Sequence, residues 1–325
     1  MNSVRHFWDA VQVFFDKLSA VDLGAMFVAL FFHQVNLILR SQAWRRILKS
    51  AFPHSKVEWP HVFGGYMAGA GVNGILPARG GDVTKLFLVH SRIRDANYPT
   101  LTATLIVETL FDIPMSFLLA VWAYLAGRLP SLPSIPGLSG FEWSFIAAHS
   151  TESVVVLGVL AFAAAAFLIV RGKHIRAFWN RVAAGFAILR TPERYLREVV
   201  ALQAAGWVCR VFTAWFFLIA FNVPANLENA LVVMVVQGAA TAMPLTPGGI
   251  GPKQALAVVL LAGVAARSDI LAFSVGMDLG LIAFNLLVGL TCMAVMLRGL
   301  NFRRAIALGR EQQAAAAQDA RERNG

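Results

Sequence analysis

Five stretches of this chain stay apolar for long enough to cross the roughly 30 Å hydrocarbon core of a bilayer as helices: Asp22 to Arg40, Thr100 to Gly127, Ser153 to Arg171, Val199 to Phe221 and Ile270 to Arg298. A soluble core has no use for so much continuous apolar chain, and with 58% hydrophobic and 14% charged residues the composition agrees. The fold class implied is an all-α integral membrane protein, because backbone exposed to lipid has to satisfy its own hydrogen bonds. Cys209 and Cys292 both fall inside spans, so neither a disulfide framework nor a zinc site is expected. The segment Met1 to Lys17 carries Asp9 and Asp16 and lacks a clean apolar core, which speaks against a cleavable signal peptide. Its Phe7, Trp8, Val11, Phe14, Phe15 and Leu18 recur at helical spacing, and residues 1–21 read as an interfacial amphipathic helix.

The formal charge of +10 raises nucleic acid as a partner, and the placement of the charges argues against it. Arg40, Arg45, Arg46, Lys49 and Lys56 follow the first span. Arg171, Lys173, Arg176, Arg181, Arg190, Arg194 and Arg197 follow the third, and Arg298, Arg303, Arg304 and Arg310 the last. By the positive-inside rule these regions are cytoplasmic, the C-terminus included, and the connections Arg128 to Glu152 and Asn222 to Asn229 lie on the other side.

Two polar motifs interrupt the apolar chain. The first is Asn73-Gly74-Ile75-Leu76-Pro77-Ala78-Arg79-Gly80-Gly81-Asp82 and the second Met243-Pro244-Leu245-Thr246-Pro247-Gly248-Gly249-Ile250-Gly251-Pro252-Lys253. The orientation rule has residues 62–92 start and end on the cytoplasmic side, and residues 227–265 start and end on the other. Each is therefore expected to enter the membrane, turn at its Pro and Gly-Gly and return. The alternative is two full spans kinked by Pro and Gly. As re-entrant hairpins they divide the chain into a first repeat, 22–127, and a second, 199–298, of opposite orientation. Between them, 128–198 holds a periplasmic loop, a central transmembrane helix and a basic cytoplasmic loop; 299–325 forms a cytoplasmic tail. That is an inverted-topology repeat, which in transporters places the binding site near the midplane.

The glycines permit tight backbone at each tip, and Pro252 suits the first position of the following half-helix. Two helix N-termini would then point inward, where free amides and the helix dipole attract an anion, phosphate above all. Arg79, Lys85 and Lys253 add positive charge, and Asn73, Pro77, Gly80, Gly81, Asp82, Thr246, Pro247, Gly248, Gly249 and Gly251 complete the candidate substrate-binding set. Packing and capping are the plainer reading. Glu108 and Asp112, at i and i+4, and Arg210 and Asp278, within the fourth and fifth spans, sit where a charge costs roughly 2.5–3.5 kcal/mol. They are read as charge-balancing or proton-coupling groups, with structural ion pairing between helices as the alternative. His33, Gln34, Asn36 and Gln237 read mainly as interhelical hydrogen-bonding residues.

Ala43-Trp44-Arg45-Arg46-Ile47-Leu48, Leu76 to Lys85, the acidic helix through Glu108 and Asp112, and Pro247-Gly248-Gly249-Ile250-Gly251 together resemble the flippase-like family named for the transmembrane region of lysylphosphatidylglycerol synthase. The resemblance covers nearly the whole chain. It implies a bacterial inner-membrane protein that translocates an anionic, aminoacylated or polyprenyl-linked lipid held by its phosphate headgroup. The alternatives it leaves are an accessory subunit of a hopanoid- or glycolipid-modifying system and an intramembrane transferase. Scattered histidines and the absence of an HExxH or acidic cluster weigh against the transferase, so no catalytic residue, metal or cofactor is expected. The expected partners are a membrane lipid and a lipid-modifying enzyme, with a homodimer implied by the resemblance alone. Asp82 stands where the family commonly has Glu, and Lys85 where it often has Arg. No acidic residue follows Gly251 within Pro252-Lys253-Gln254, which makes the second tip more cationic than the family pattern. The tail Ala305 to Gly325 is short and polar, so the soluble aminoacyl-transferase domain of the bifunctional synthases is expected to be lacking.

Overall fold

The computed structural model of the chain describes residues 21–76, 80–128, 178–242 and 251–298. The expected amphipathic helix at 1–21, the central span Ser153 to Arg171 and the tail 299–325 fall outside these residues, apart from Val21. Helix α1 is Leu23–Ala51, α2 Trp59–Asn73, α3 Gly80–His90, α4 Tyr98–Thr109 and α5 Asp112–Leu125. After helical residues 178–185 and the tight turn Ala187–Arg190 come α6 Pro192–Ala220, α7 Leu227–Ala242, α8 Pro252–Leu260 and α9 Arg267–Arg298.

Local chemistry explains where these helices begin. The Asp22 carboxylate accepts from the Ala25 amide at 3.1 Å to start α1. Asn97 does the same for Thr100 at 3.0 Å to start α4. Proline stands in the first turn of α2, α4, α6 and α8, where its missing N–H costs nothing.

Among the described residues four helical stretches are long and apolar enough to span a membrane: Leu23–Ala51, Tyr98–Leu125, Pro192–Ala220 and Arg267–Met296. They fall on four of the five expected spans, with shifted limits. The first does not stop at Arg40 but runs to Ala51. At about 1.5 Å per residue that is roughly 43 Å, longer than the hydrocarbon core. The second is not one continuous helix but breaks at Leu110 and Phe111. Pro114 causes the break, since it has no N–H to offer the Leu110 carbonyl. Both residues keep helical backbone angles, so Glu108 and Asp112 still face one side. The fourth starts at Pro192 rather than Val199, passing through one wider turn at Leu196–Val200. The residues outside the core match the class. Phe27, Phe31, Phe117, Leu118 and Leu287, on the spanning helices, are all exposed, as a surface solvated by acyl chains requires.

The remaining labelled helices are short. Helices α2, α3, α7 and α8 have 15, 11, 16 and 9 residues, none enough to cross the bilayer. Helices α2 and α3 pack together, as do α7 and α8. The first pair meets at Gly69 and Gly81 so closely that a Cβ on Gly81 would lie 1.9 Å from the Gly69 carbonyl oxygen.

Among the described residues helices α1 and α6 form the largest contact, and they run antiparallel. Ala25 and Ala29 of α1 share a core with Ala214 to Phe221 of α6 and with α7, α8 and the start of α9. Trp44, Ile47 and Leu48 share a second core with Val199, α2 and α4. Each short helix pair thus belongs to a different end of the α1–α6 pair. Helix α9 packs on α2, and α5 packs on α7. Polar contacts sort into the same two ends. Arg46 faces Glu198 at 3.9 Å, the Ser55 hydroxyl donates to the Arg94 carbonyl, and Arg92 donates to the Met296 carbonyl. At the other end the Asp22 amide donates to the Ala220 carbonyl at 2.9 Å and Arg128 pairs with Glu228.

Candidate functional site

Glu108, 4% exposed on its side chain, is the centre of a charge cluster inside the bundle. Its Oε2 receives Lys85 Nζ at 2.7 Å from α3. Its Oε1 receives the Tyr66 hydroxyl at 2.7 Å from α2 and Arg40 Nη2 at 3.2 Å from α1. Arg40 then grips Asp112 with both terminal nitrogens, at 3.0 and 2.7 Å. This paired geometry is available to Arg and not to Lys. Arg40 Nε donates to the Tyr66 hydroxyl at 2.8 Å, so that hydroxyl both receives from a cation and donates to a carboxylate. Lys85 Nζ lies 3.9 Å from the centre of the Tyr66 ring and 4.2 Å from that of Trp44. Trp44 is held in turn by Thr104 at 3.1 Å. Trp207 of α6 donates to Asp112 at 2.8 Å, and the Gln203 amide donates to the Glu108 carbonyl at 2.8 Å.

Helices α1 to α6 therefore meet on two carboxylates. The cluster lines a cavity of about 260 Å³ together with Gly69, Asn73 and Asp82. Among the described residues the cavity wall carries the cations Arg40 and Lys85 and the carboxylates Asp82, Glu108 and Asp112.

A smaller cluster occupies the second half. Asp278 of α9 receives Lys253 Nζ at 3.2 Å, Gln254 Nε2 at 2.9 Å and Gln237 Nε2 at 3.4 Å. Its side chain is 5% exposed and that of Lys253 13%. Arg210, on α6, lies between the clusters, with its guanidinium carbon 4.6 Å from the centre of the Trp207 ring and no carboxylate within ion-pair distance among the described residues.

Several sequence expectations can be located. Lys85 joins Glu108 in the first cluster and Lys253 joins Asp278 in the second, so each candidate phosphate-binding lysine sits beside a carboxylate. Asn73 and the Gly80-Gly81 pair meet: the Gly81 amide donates to Asn73 Oδ1 at 2.8 Å, and Asn73 Nδ2 lies 3.4 Å from Asp82. Gly251, at φ 98°, opens α8 and gives its amide to Gln254 Oε1 at 2.6 Å. One amide at each helix start is thereby satisfied by a side chain of the same hairpin. Pro77, Arg79, Thr246, Pro247, Gly248 and Gly249 lie outside the described residues.

Arg40, Tyr66, Trp44, Trp207, Gln203 and Gln254 were not singled out by the sequence as site residues. Arg40 corrects an assignment: it is not a flanking positive charge but a buried member of the cluster, 13% exposed. A signal for it exists in the spacing His33, Asn36, Arg40, a polar stripe on one face of an otherwise apolar helix. Gln203, Trp207 and Arg210 repeat the pattern on α6.

Known proteins offer a family and two distant relatives. A family model described as the lysylphosphatidylglycerol synthase TM region matches residues 7–303. The UPF0104 membrane protein MJ1078 of Methanocaldococcus jannaschii is 24% identical over 197 residues, covering 58% of this chain and 78% of that protein. Glycosyltransferase AglD of Haloferax volcanii is 25% identical over 287 residues, covering 76% of this chain and 45% of that protein, so the match spans less than half of AglD. No solved structure matches the chain.

Proposed function

The chain belongs to the family of the lysylphosphatidylglycerol synthase transmembrane region, and from that premise we propose that it translocates a lipid by binding the lipid's phosphate headgroup within the membrane. The observation that carries this reading is the cluster of Arg40, Lys85, Glu108 and Asp112, with Lys85 and Glu108 buried, around a cavity of about 260 Å³. Four charges in a bilayer-embedded bundle are expensive to insert, and groups kept at that cost mark substrate or ion pathways. With no lipid bound, Glu108 and Asp278 neutralise Lys85 and Lys253. An arriving phosphate competes with these carboxylates for the lysines, Arg79 adds its charge to the attraction, and a displaced carboxylate is free to take up a proton. Acyl or prenyl chains remain in the bilayer.

Alternating exposure comes from an inverted repeat of 22–127 and 199–298, in which residues 62–92 and 227–265 are re-entrant hairpins. The packing favours this arrangement. A two-fold that exchanges α1 with α6 also exchanges the contact of α9 on α2 with that of α5 on α7. Placing Arg45, Arg46 and Lys49 in the cytoplasm puts the first hairpin at the cytoplasmic end and the second at the other. Rocking of the halves about α1 and α6 then exposes the cleft to either leaflet in a bacterial cytoplasmic membrane, with the C-terminus inside.

The similarity to AglD favours a second reading, in which the chain serves a glycolipid-modifying system as an accessory subunit. Lipids that co-purify in mild detergent test the first. A phosphate-bearing lipid enriched in the wild type and lost in Arg79→Ala, at unchanged expression, supports headgroup binding at the tips. Equal and unselective lipid in both proteins, with activity only when a lipid-modifying enzyme is added, selects the accessory role.

A further inference from the structure

Matching positions in the two halves single out one cation. Lys85 and Lys253 each stand four residues after the second glycine of their Gly-Gly pair. The step from Glu108 to Asp278 is 170 residues, and so is the step from Arg40 to Arg210. The polar stripe on α1 and the one on α6 fall in the same register, His33 with Gln203 and Arg40 with Arg210. The first half therefore has an arginine, a lysine and a carboxylate at positions that the second half repeats.

The partners do not repeat. Arg40 has Glu108 and Asp112. At the step of 170 from Asp112 the chain has Ile282, and the remaining carboxylate, Asp278, is occupied by Lys253, Gln237 and Gln254. Of the cations Arg40, Lys85, Arg210 and Lys253 in the bundle interior, Arg210 alone has no carboxylate within ion-pair distance among the described residues. What it has is the face of Trp207, whose indole N–H is fixed by Asp112, so the guanidinium is held on the ring with that carboxylate attracting it from beyond ion-pair distance.

Arg210 also lines two cavities, which share Met234. One, of about 170 Å³, is bordered by His33, Asn36, Thr213 and Gln237. Asn36 is 5% exposed, and its Oδ1 has no hydrogen-bond partner among the described residues. The other, of about 270 Å³, is walled by Phe117, Leu119 and Ala120 of α5 and by Met234 and Val235 of α7. Phe117 is 67% exposed, which puts this cavity at the lipid-facing surface.

We infer that Arg210 anchors the phosphate of a lipid that enters sideways between α5 and α7, its hydrocarbon chain in the cavity beside Phe117 and its headgroup in the one bordered by His33, Asn36 and Gln237. An arginine fixed on a ring suits a phosphate, whose oxygens match its fork of donors. Gln237 Nε2 and Asn36 Nδ2 are donors that suit the phosphate, and the unpartnered Asn36 Oδ1 suits a hydroxyl of the headgroup. The inference deepens the translocase reading by naming a lipid site distinct from the Arg40–Lys85 cluster. It rests on that reading for its purpose and on the Arg210 environment for its chemistry.

The test uses the full chain in detergent with a phosphatidylglycerol carrying a photoactivatable acyl chain, and maps the crosslinked peptides. The expected result is crosslinking on the peptides containing Phe117 and Met234, reduced about tenfold or more in Arg210→Gln, the loss expected of a charge-assisted contact. A diacylglycerol probe that lacks phosphate should not label them. Phe117→Trp, which narrows the apolar entrance and leaves Arg210 intact, should lower labelling as well and serves where Arg210→Gln does not fold. Labelling unchanged in folded Arg210→Gln, or in Phe117→Trp where Arg210→Gln does not fold, overturns the proposal. So does suppression by inorganic phosphate of every Arg210-dependent signal at concentrations far below the lipid's own, which would assign the site to a free anion. Arg210-dependent labelling without transport in vesicles would overturn the translocase reading and leave this site standing. Transport without Arg210-dependent labelling would do the reverse.

Discussion

The two lysine–carboxylate clusters occupy matching positions in the chain and differ in what surrounds them. Around Glu108, a second carboxylate, an arginine and two aromatic rings close the charges in on one another. Around Asp278 only one lysine and two glutamines gather among the described residues, and the arginine of that half faces a ring and two cavities. The first arrangement is self-neutralising. The second leaves a cation available. The same charges at nearly the same spacing, 23 residues from Lys85 to Glu108 and 25 from Lys253 to Asp278, therefore give a closed cluster in one half and a candidate anchor in the other, and what separates them is the presence of Asp112.

Removing the Glu108 carboxylate has the largest expected effect on stability. Glu108→Gln leaves Lys85 and Arg40 buried with one carboxylate between them, and breaking a buried pair in this way costs about 3–5 kcal/mol. Thermal unfolding in detergent should show a larger drop for it than for Asp278→Asn, which strands a single lysine; equal drops would erase the distinction between the clusters. Next comes Tyr66→Phe, which deletes the hydroxyl between Arg40 and Glu108. Hydrogen bonds to charged groups are worth about 1.5–3 kcal/mol, and the same unfolding measurement checks that figure. Met234→Glu sharpens the comparison from the other side. Met234 borders both cavities at Arg210, so a carboxylate there supplies the partner that the second half lacks. Lipid crosslinking should fall about tenfold, the worth of about 1.4 kcal/mol, while the fold is retained. The smallest effect is expected at Lys56, whose pairing with Glu58 lies in solvent. Lys56→Ala should leave unfolding and crosslinking unchanged.

Much of this was legible in the chain. Four expected spans fall on described helices, Gly80 and Pro252 open the half-helices that follow the motifs, and Lys85, Glu108, Lys253 and Asp278 are enclosed as charges in apolar sequence must be. The pairings were not legible. Lys85 and Glu108 stand 23 residues apart on different helices, and only packing decides that they meet. Arg40 was hidden for a related reason. Hydropathy marks where apolar chain ends, whereas α1 continues past that point, so the first basic residue after the run lies inside the bundle. Tyr66, Trp44 and Trp207 are hidden by composition, because an aromatic residue in a membrane helix looks apolar until its polar edge finds a carboxylate or its face a cation. The break at Leu110 is readable from Pro114, and missing it changes little, since the backbone stays helical through it.

The activity proposed for this protein is the movement of a phosphate-bearing lipid between leaflets. The direct measurement is reconstitution of the full chain into phosphatidylglycerol vesicles that contain a fluorescent phosphatidylglycerol, followed by chemical quenching of the fluorophore from outside. Wild-type protein should expose inner-leaflet probe faster than protein-free vesicles do, and Arg210→Gln, folded and inserted to the same extent, should not. Exposure at the protein-free rate by folded wild-type protein would contradict the proposed activity.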